Sequence, residues 1–173
     1  MKRIATLAAL LLLSSHTAWA ADAKPDTQAE MKKMQEAQAK LMAAMMVEKQ
    51  SRLGFNETVA ALQDAAKKRG WEVGPVMDMQ EAMIKAGQKN AKPFKMLVMC
   101  NKDLAESLIK AQVAQKAMPF APCRLSVFEG TDGKVYIAKT NTEFMAQMAA
   151  PAFAPLLKKF AEEENAVLAK ITE

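Results

Sequence analysis

Histidine is almost missing from this chain. The one present among 173 residues is His16, and it lies in a segment that reads as a removable leader. Without imidazole the remainder can build neither a Ser-His-Asp nor a Cys-His nucleophile, nor a histidine-bound zinc or haem iron. Glycine is sparse: six residues, spread singly, exclude a Gly-rich phosphate cradle. Aromatics make up 6% of the chain, and none is interleaved with the basic runs Lys67-Lys68-Arg69 or Lys158-Lys159. Such runs suit solvated helix ends, so no nucleic-acid partner is expected. Cysteine is limited to Cys100 and Cys123, far from C-x-x-C spacing. Long apolar runs are missing too, so the chain is not expected to span a membrane.

The longest apolar stretch, Ile4 to Leu13, follows Lys2-Arg3 and precedes Ala18-Trp19-Ala20. A short positive region, an apolar region of about ten residues and a small-x-small site together describe a secretory signal peptide. Residues 1–20 are therefore expected to be removed after Ala20, leaving a periplasmic protein that starts at Ala21. No cysteine stands at the junction to carry a lipid. Removal takes Lys2 and Arg3 from a formal net charge of +5, leaving an ordinary balance.

Methionine is abundant, with fourteen in the chain. Residues 21–45 are rich in Ala, Met, Lys, Gln and Glu, all good helix formers, and Met31, Met34, Leu41, Met42 and Met45 fall near one stripe. A short strand is expected over Met46–Arg52. Asn56 then caps a helix that ends in Lys67-Lys68-Arg69 and stops at Gly70. Trp71–Val76 reads as a strand, Asp78–Ala86 as a short helix, and Phe94–Met99 as an apolar strand finishing at Cys100. Asn101 caps a helix running to about Lys116. A Pro-rich entry leads to the strand Cys123–Phe128, and the Asp132-Gly133 turn joins it to Lys134–Lys139. Asn141-Thr142 opens a last helical region, broken at Pro151 and continued from Ala152 to Ile171.

This order gives an α+β fold: a mostly antiparallel sheet covered by helices, flanked by a Met-rich N-terminal helix and a C-terminal amphipathic segment over 146–173. The expected core is Val59, Leu62, Trp71, Val73, Val76, Leu97, Met99, Leu125, Val127, Val135 and Ile137.

Several segments occur in a recognisable order. They are Ser51-Arg52-Leu53-Gly54-Phe55-Asn56-Glu57-Thr58, Gly70-Trp71, Asp78-Met79, Cys100-Asn101, Pro122-Cys123-Arg124 and Asp132-Gly133-Lys134-Val135-Tyr136. Over Met46 to Met145 the chain resembles the domain-of-unknown-function 302 family, in the branch with Cys-Asn ending one strand and Pro-Cys-Arg opening the next. It departs from that branch where Pro119-Phe120-Ala121-Pro122 separates Met118 from Cys123. The resemblance implies a fold, an antiparallel sheet with packed helices, and no established reaction.

The chemistry rests on sulfur. If the strands ending at Cys100 and beginning at Cys123 are antiparallel neighbours, the cysteines meet within the ≲ 7 Å Cα separation of a disulfide, and a parallel arrangement parts them. In an exported protein the pair is then a structural disulfide, a reactive pair tuned by Asn101 and Arg124, or two buried thiols. Soft ligation of Cu(I) by Met99, Cys100, Met118 and Cys123 is a further option, although a Met stripe also serves as core or docking face. Asp78 is either a helix cap or an acid at the mouth of a cleft. The resulting expectation is an exported binding or accessory module with no resident cofactor. It would take an unidentified small ligand or protein partner and pair into a homodimer. The alternatives are a thiol-disulfide or sulfur-handling enzyme and a copper(I) carrier.

Overall fold

The computed structural model describes residues 25–173. The expected signal peptide, 1–20, lies outside the described residues. The chain divides into a unit ending at Leu41 and a second over Met42–Glu173. The first is dominated by helix α1 (Pro25–Ala44), on which Met31 and Met34 are exposed.

In the second unit the elements run β1 (Met46–Gln50), α2 (Phe55–Lys68), β2 (Glu72–Asp78), α3 (Met79–Lys85), β3 (Phe94–Cys100), α4 (Lys102–Ala114), β4 (Arg124–Glu129), β5 (Val135–Thr140), α5 (Thr142–Met148) and α6 (Ala154–Leu168). The strands form one five-stranded sheet in the order β1-β5-β4-β3-β2, every pair antiparallel. The fold is α+β, as the alternation of helical and strand patterns predicts.

Local chemistry sets most boundaries. Asn101 and Asn141 cap α4 and α5, their side-chain oxygens accepting from Leu104 N at 3.2 Å and Phe144 N at 3.1 Å. Gly70, at φ +74°, ends α2 in the left-handed region that a side chain disfavours. Gly133, at φ +77°, turns the β4–β5 hairpin, which Asp132 ties by accepting from Lys134 N and the Tyr136 hydroxyl. One cap differs from expectation. The helix α2 starts at Phe55 with Gly54, not Asn56, at its N-cap. Glu57 accepts from Gly54 N, and the Thr58 hydroxyl joins Gly54 O to Ser51, so the start is fixed two residues earlier.

The strand β2 is an edge, and its ladder slips between Val73 and Val76. The slip accommodates Pro75, which has no N–H to give to a sheet interior.

The side chains bury into two clusters. The larger joins Val59, Leu62 and Ala66 of α2 with Trp71, Leu97, Met99, Val127 and Ile137 of the sheet and Val167, Leu168 and Ile171 at the end of α6. All eleven expected core residues belong to it, with Val73, Val76, Leu125 and Val135 partly buried. The smaller cluster joins Leu104, Ala105 and Leu108 of α4 to Leu157 and Phe160 of α6, with Cys100 and Cys123 packed against it. Helix α6 therefore supplies both clusters, and Ser51 bridges Thr172 just beyond it.

Candidate functional site

The antiparallel register of β3 with β4 brings the end of one strand beside the start of the other, and Cys100 and Cys123 are joined in a disulfide with Cα atoms 4.7 Å apart. The approach to β4 is built by a turn rather than by a continued strand. Gln112, buried in α4, accepts from Phe120 N at 2.8 Å, and Cys123 N donates to Ala121 O at 2.9 Å. This places Pro122 in the interior and half-buries Cys123, which is how the Pro119–Pro122 insertion is absorbed.

Two recesses flank the pair. On the Asn101 side an open cleft of about 500 Å³ is lined by Lys68, Arg69, Asn101, Asp103, Lys159 and Glu163. Its floor is held by Arg69, which donates to both carboxylate oxygens of Glu163 at 2.9 Å. On the other side a narrow, partly open recess of about 10 Å³ is bounded by Trp71, Met99, Cys123, Arg124, Lys139 and Glu164, among others. That volume matches one water-sized sphere.

The second recess is lined mainly by apolar side chains, with one buried ion pair among them. Lys139 Nζ donates to Glu164 Oε2 at 2.8 Å and to Thr140 O at 3.1 Å. Both residues are buried, 6% and 7% exposed. Burial pushes the Glu164 carboxyl above the ordinary carboxylate range, against the pull of the Lys139 ammonium and of the Thr142 hydroxyl. Beside them Trp71, 6% exposed, has an indole Nε1 with no hydrogen-bond partner among the described residues. A buried unpaired N–H costs about 1–3 kcal/mol, so such groups usually mark a water or ligand position.

Among the sequence-predicted site residues, the structure brings together Cys100 and Cys123, with Asn101 at the head of α4 and Arg124 on the rim of the narrow recess. Asp78 is the N-cap of α3, accepting from Glu81 N at 2.9 Å, and it lines neither recess. The four soft ligands do not converge. Met99 is buried in the larger cluster, Met118 is 84% exposed, and the two cysteine sulfurs are bonded to each other. Adjacent residues of a strand face opposite sides, so Met99 and Cys100 diverge by construction.

Lys139, Glu164 and the unpaired indole were absent from the sequence reading as site residues. A signal existed. Lys139 continues the inward alternation Val135, Ile137, Lys139 along β5, and Glu164 falls on the α6 stripe Leu157, Phe160, Ala161, Val167, Leu168. A charge at an inward position of both patterns marks a buried pair.

The profile of the family described as Domain of unknown function DUF302 matches residues 47–171. The chain belongs to the DUF302 family. The match extends beyond the Met46–Met145 stretch that carries the sequence resemblance. The helix after Pro151 is thus part of the DUF302 domain, as its role in both clusters requires. A solved structure of an uncharacterized conserved DUF302 protein from Bacillus stearothermophilus is 22% identical, with a TM-score of 0.62, over 73% of this chain and 97% of that one. At this identity the likeness speaks for the DUF302 fold alone. No curated protein matches the chain.

Proposed function

We propose that this DUF302 protein is an exported accessory module whose Cys100–Cys123 pair is a redox-responsive element, opened and closed by exchange with external dithiols. The observation that supports it most is the placement of the disulfide. It joins neighbouring strand ends against the smaller cluster, with Asn101, next to Cys100, on the open cleft and Cys123 on the recess that holds the Lys139–Glu164 pair. A disulfide that served only as a staple needs no ionisable pair beside it. The leader-like residues 1–20 supply the oxidising compartment such an element requires.

Intact mass of periplasm-expressed protein, alkylated before and after reduction, tests the reading. The expected product starts at Ala21, is two hydrogens light, and resists alkylation until reduced in the native state. Two thiols that alkylate without reduction would overturn it. Closing the loop between the cysteines contributes about 3 kcal/mol on the chain-entropy account, so reduction is expected to lower the urea midpoint without unfolding the domain.

Self-association belongs to the same proposal. The exposed Met31, Met34 and Met42 of α1 give the chain an apolar face to bury in a homodimer. Light scattering at tens of micromolar should return twice the chain mass, and a monomeric mass removes the dimer from the proposal.

A further inference from the structure

The recess beneath Cys123 holds three things that a structural staple does not use: a buried ion pair, an unpaired indole N–H and room for one water. We propose that the Lys139–Glu164 pair is the proton store for the disulfide, passing a proton to or from Cys123 Sγ through a single water that Trp71 Nε1 helps to hold. The inference rests on the redox reading above and assigns the order of its steps.

The geometry supports each part. Cys123, Lys139, Glu164 and Trp71 bound the same narrow recess, whose volume of about 10 Å³ is near the least that holds one water. Lys139 already donates to Glu164 Oε2 and Thr140 O, and the Thr142 hydroxyl also acts on the Glu164 carboxyl. A water in the space accepts from Trp71 Nε1 and donates to Glu164 or Cys123, giving it the partners that ordered internal water requires. The charged groups that bound the recess with Glu164 are Lys139 from β5 and Arg124 from β4, and the disulfide-bonded Cys123 carries no proton. The Thr142 hydroxyl lies beside Glu164 at the start of α5.

Reduction by an external dithiol then runs in a fixed direction. A thiolate of the dithiol attacks Cys100 Sγ, the sulfur outside the recess, and forms a mixed disulfide. The electron pair of the broken S–S bond goes to Cys123 Sγ, which takes one proton from the Lys139–Glu164 pair through the water. The second thiol of the reagent, as thiolate, attacks its own sulfur in the mixed disulfide. This releases a cyclic disulfide and the Cys100 thiolate, which solvent protonates as it also restores the pair. The protein disulfide is reduced and the dithiol oxidised. Oxidation reverses the sequence, the pair accepting the Cys123 proton.

Dithiothreitol reduction of the native protein, followed from pH 5.5 to 9.5 and expressed per reagent thiolate, tests this. The wild-type rate per thiolate is expected to fall as pH rises and the Glu164 carboxyl, held above its ordinary range by burial, loses its proton. In Lys139→Met/Glu164→Gln, which strands no buried charge, the low-pH rate should drop on the order of 100-fold, the scale of general acid catalysis, and the profile should flatten. Glu164→Asp, which keeps the carboxyl, should recover most of the rate. A wild-type profile that is already flat overturns the inference whether or not the variants fold, as does a double variant within twofold of wild type at every pH. A native disulfide inert to dithiothreitol overturns the redox reading itself, whereas reduction with a flat profile removes only the proton store.

Discussion

Phe160→Ala is expected to lower the unfolding free energy by about 3–5 kcal/mol, the usual penalty for truncating a buried aromatic. Phe160 is fully buried and shares the smaller cluster with Leu104, Leu108 and Leu157. Its loss leaves a cavity that helices α4 and α6 would have to move to close, so the cost belongs at the high end. For a domain of this size the melting midpoint should fall by roughly 10 °C. Urea unfolding followed by the fluorescence of buried Trp71 checks it, with an unchanged m-value as the sign that the loss is one of stability. A loss under 1 kcal/mol would mean that the cluster is loosely packed and that the disulfide has no firm base.

The second large effect concerns the ion pair. Removing one partner, by Lys139→Met or Glu164→Gln, strands the other and is expected to cost about 3–5 kcal/mol, whereas the double variant should lie near wild type. A double-mutant cycle isolates the coupling, which is expected to exceed the few tenths of a kcal/mol seen for distant sites. The pH dependence has a definite sign. Because burial raises the folded carboxyl of Glu164 above its ordinary value of 4.5, the folded state binds that proton more tightly than the unfolded state does. The stability it contributes is fully present below that ordinary value and is lost as pH rises through the raised one. Glu164→Gln should abolish this part of the slope. An unchanged slope would show that the pair does not govern it.

The sheet and its core were legible because their signals are local. Apolar alternation located Leu97, Met99, Leu125, Val127 and Ile137, and Asn101, Asn141 and the Asp132-Gly133 turn announced their own geometry. The cysteine pairing followed once β3 and β4 were antiparallel neighbours. What was not legible depends on contacts far apart in the chain. Lys139 and Glu164 sit on different elements, and each alone passes for a solvated charge. Gly54 displaced Asn56 as a cap because Glu57 and Thr58 fold back onto it, which a list of good capping residues does not show. Helix α6 looked peripheral after Pro151, yet it carries residues of both clusters, since its two ends face different neighbours.

The strand order has a kinetic consequence. The hairpin of β4 and β5 closes through a tight local turn, and β3 joins it across one helix, so these pairings carry small loop-closure penalties. The strand β1 emerges first from the ribosome but pairs with β5, almost the whole domain later. The first strand therefore waits unpaired until nearly all of the chain is available, a high-contact-order arrangement that slows folding. The sheet cannot be completed before β5, residues 135–140, has been made.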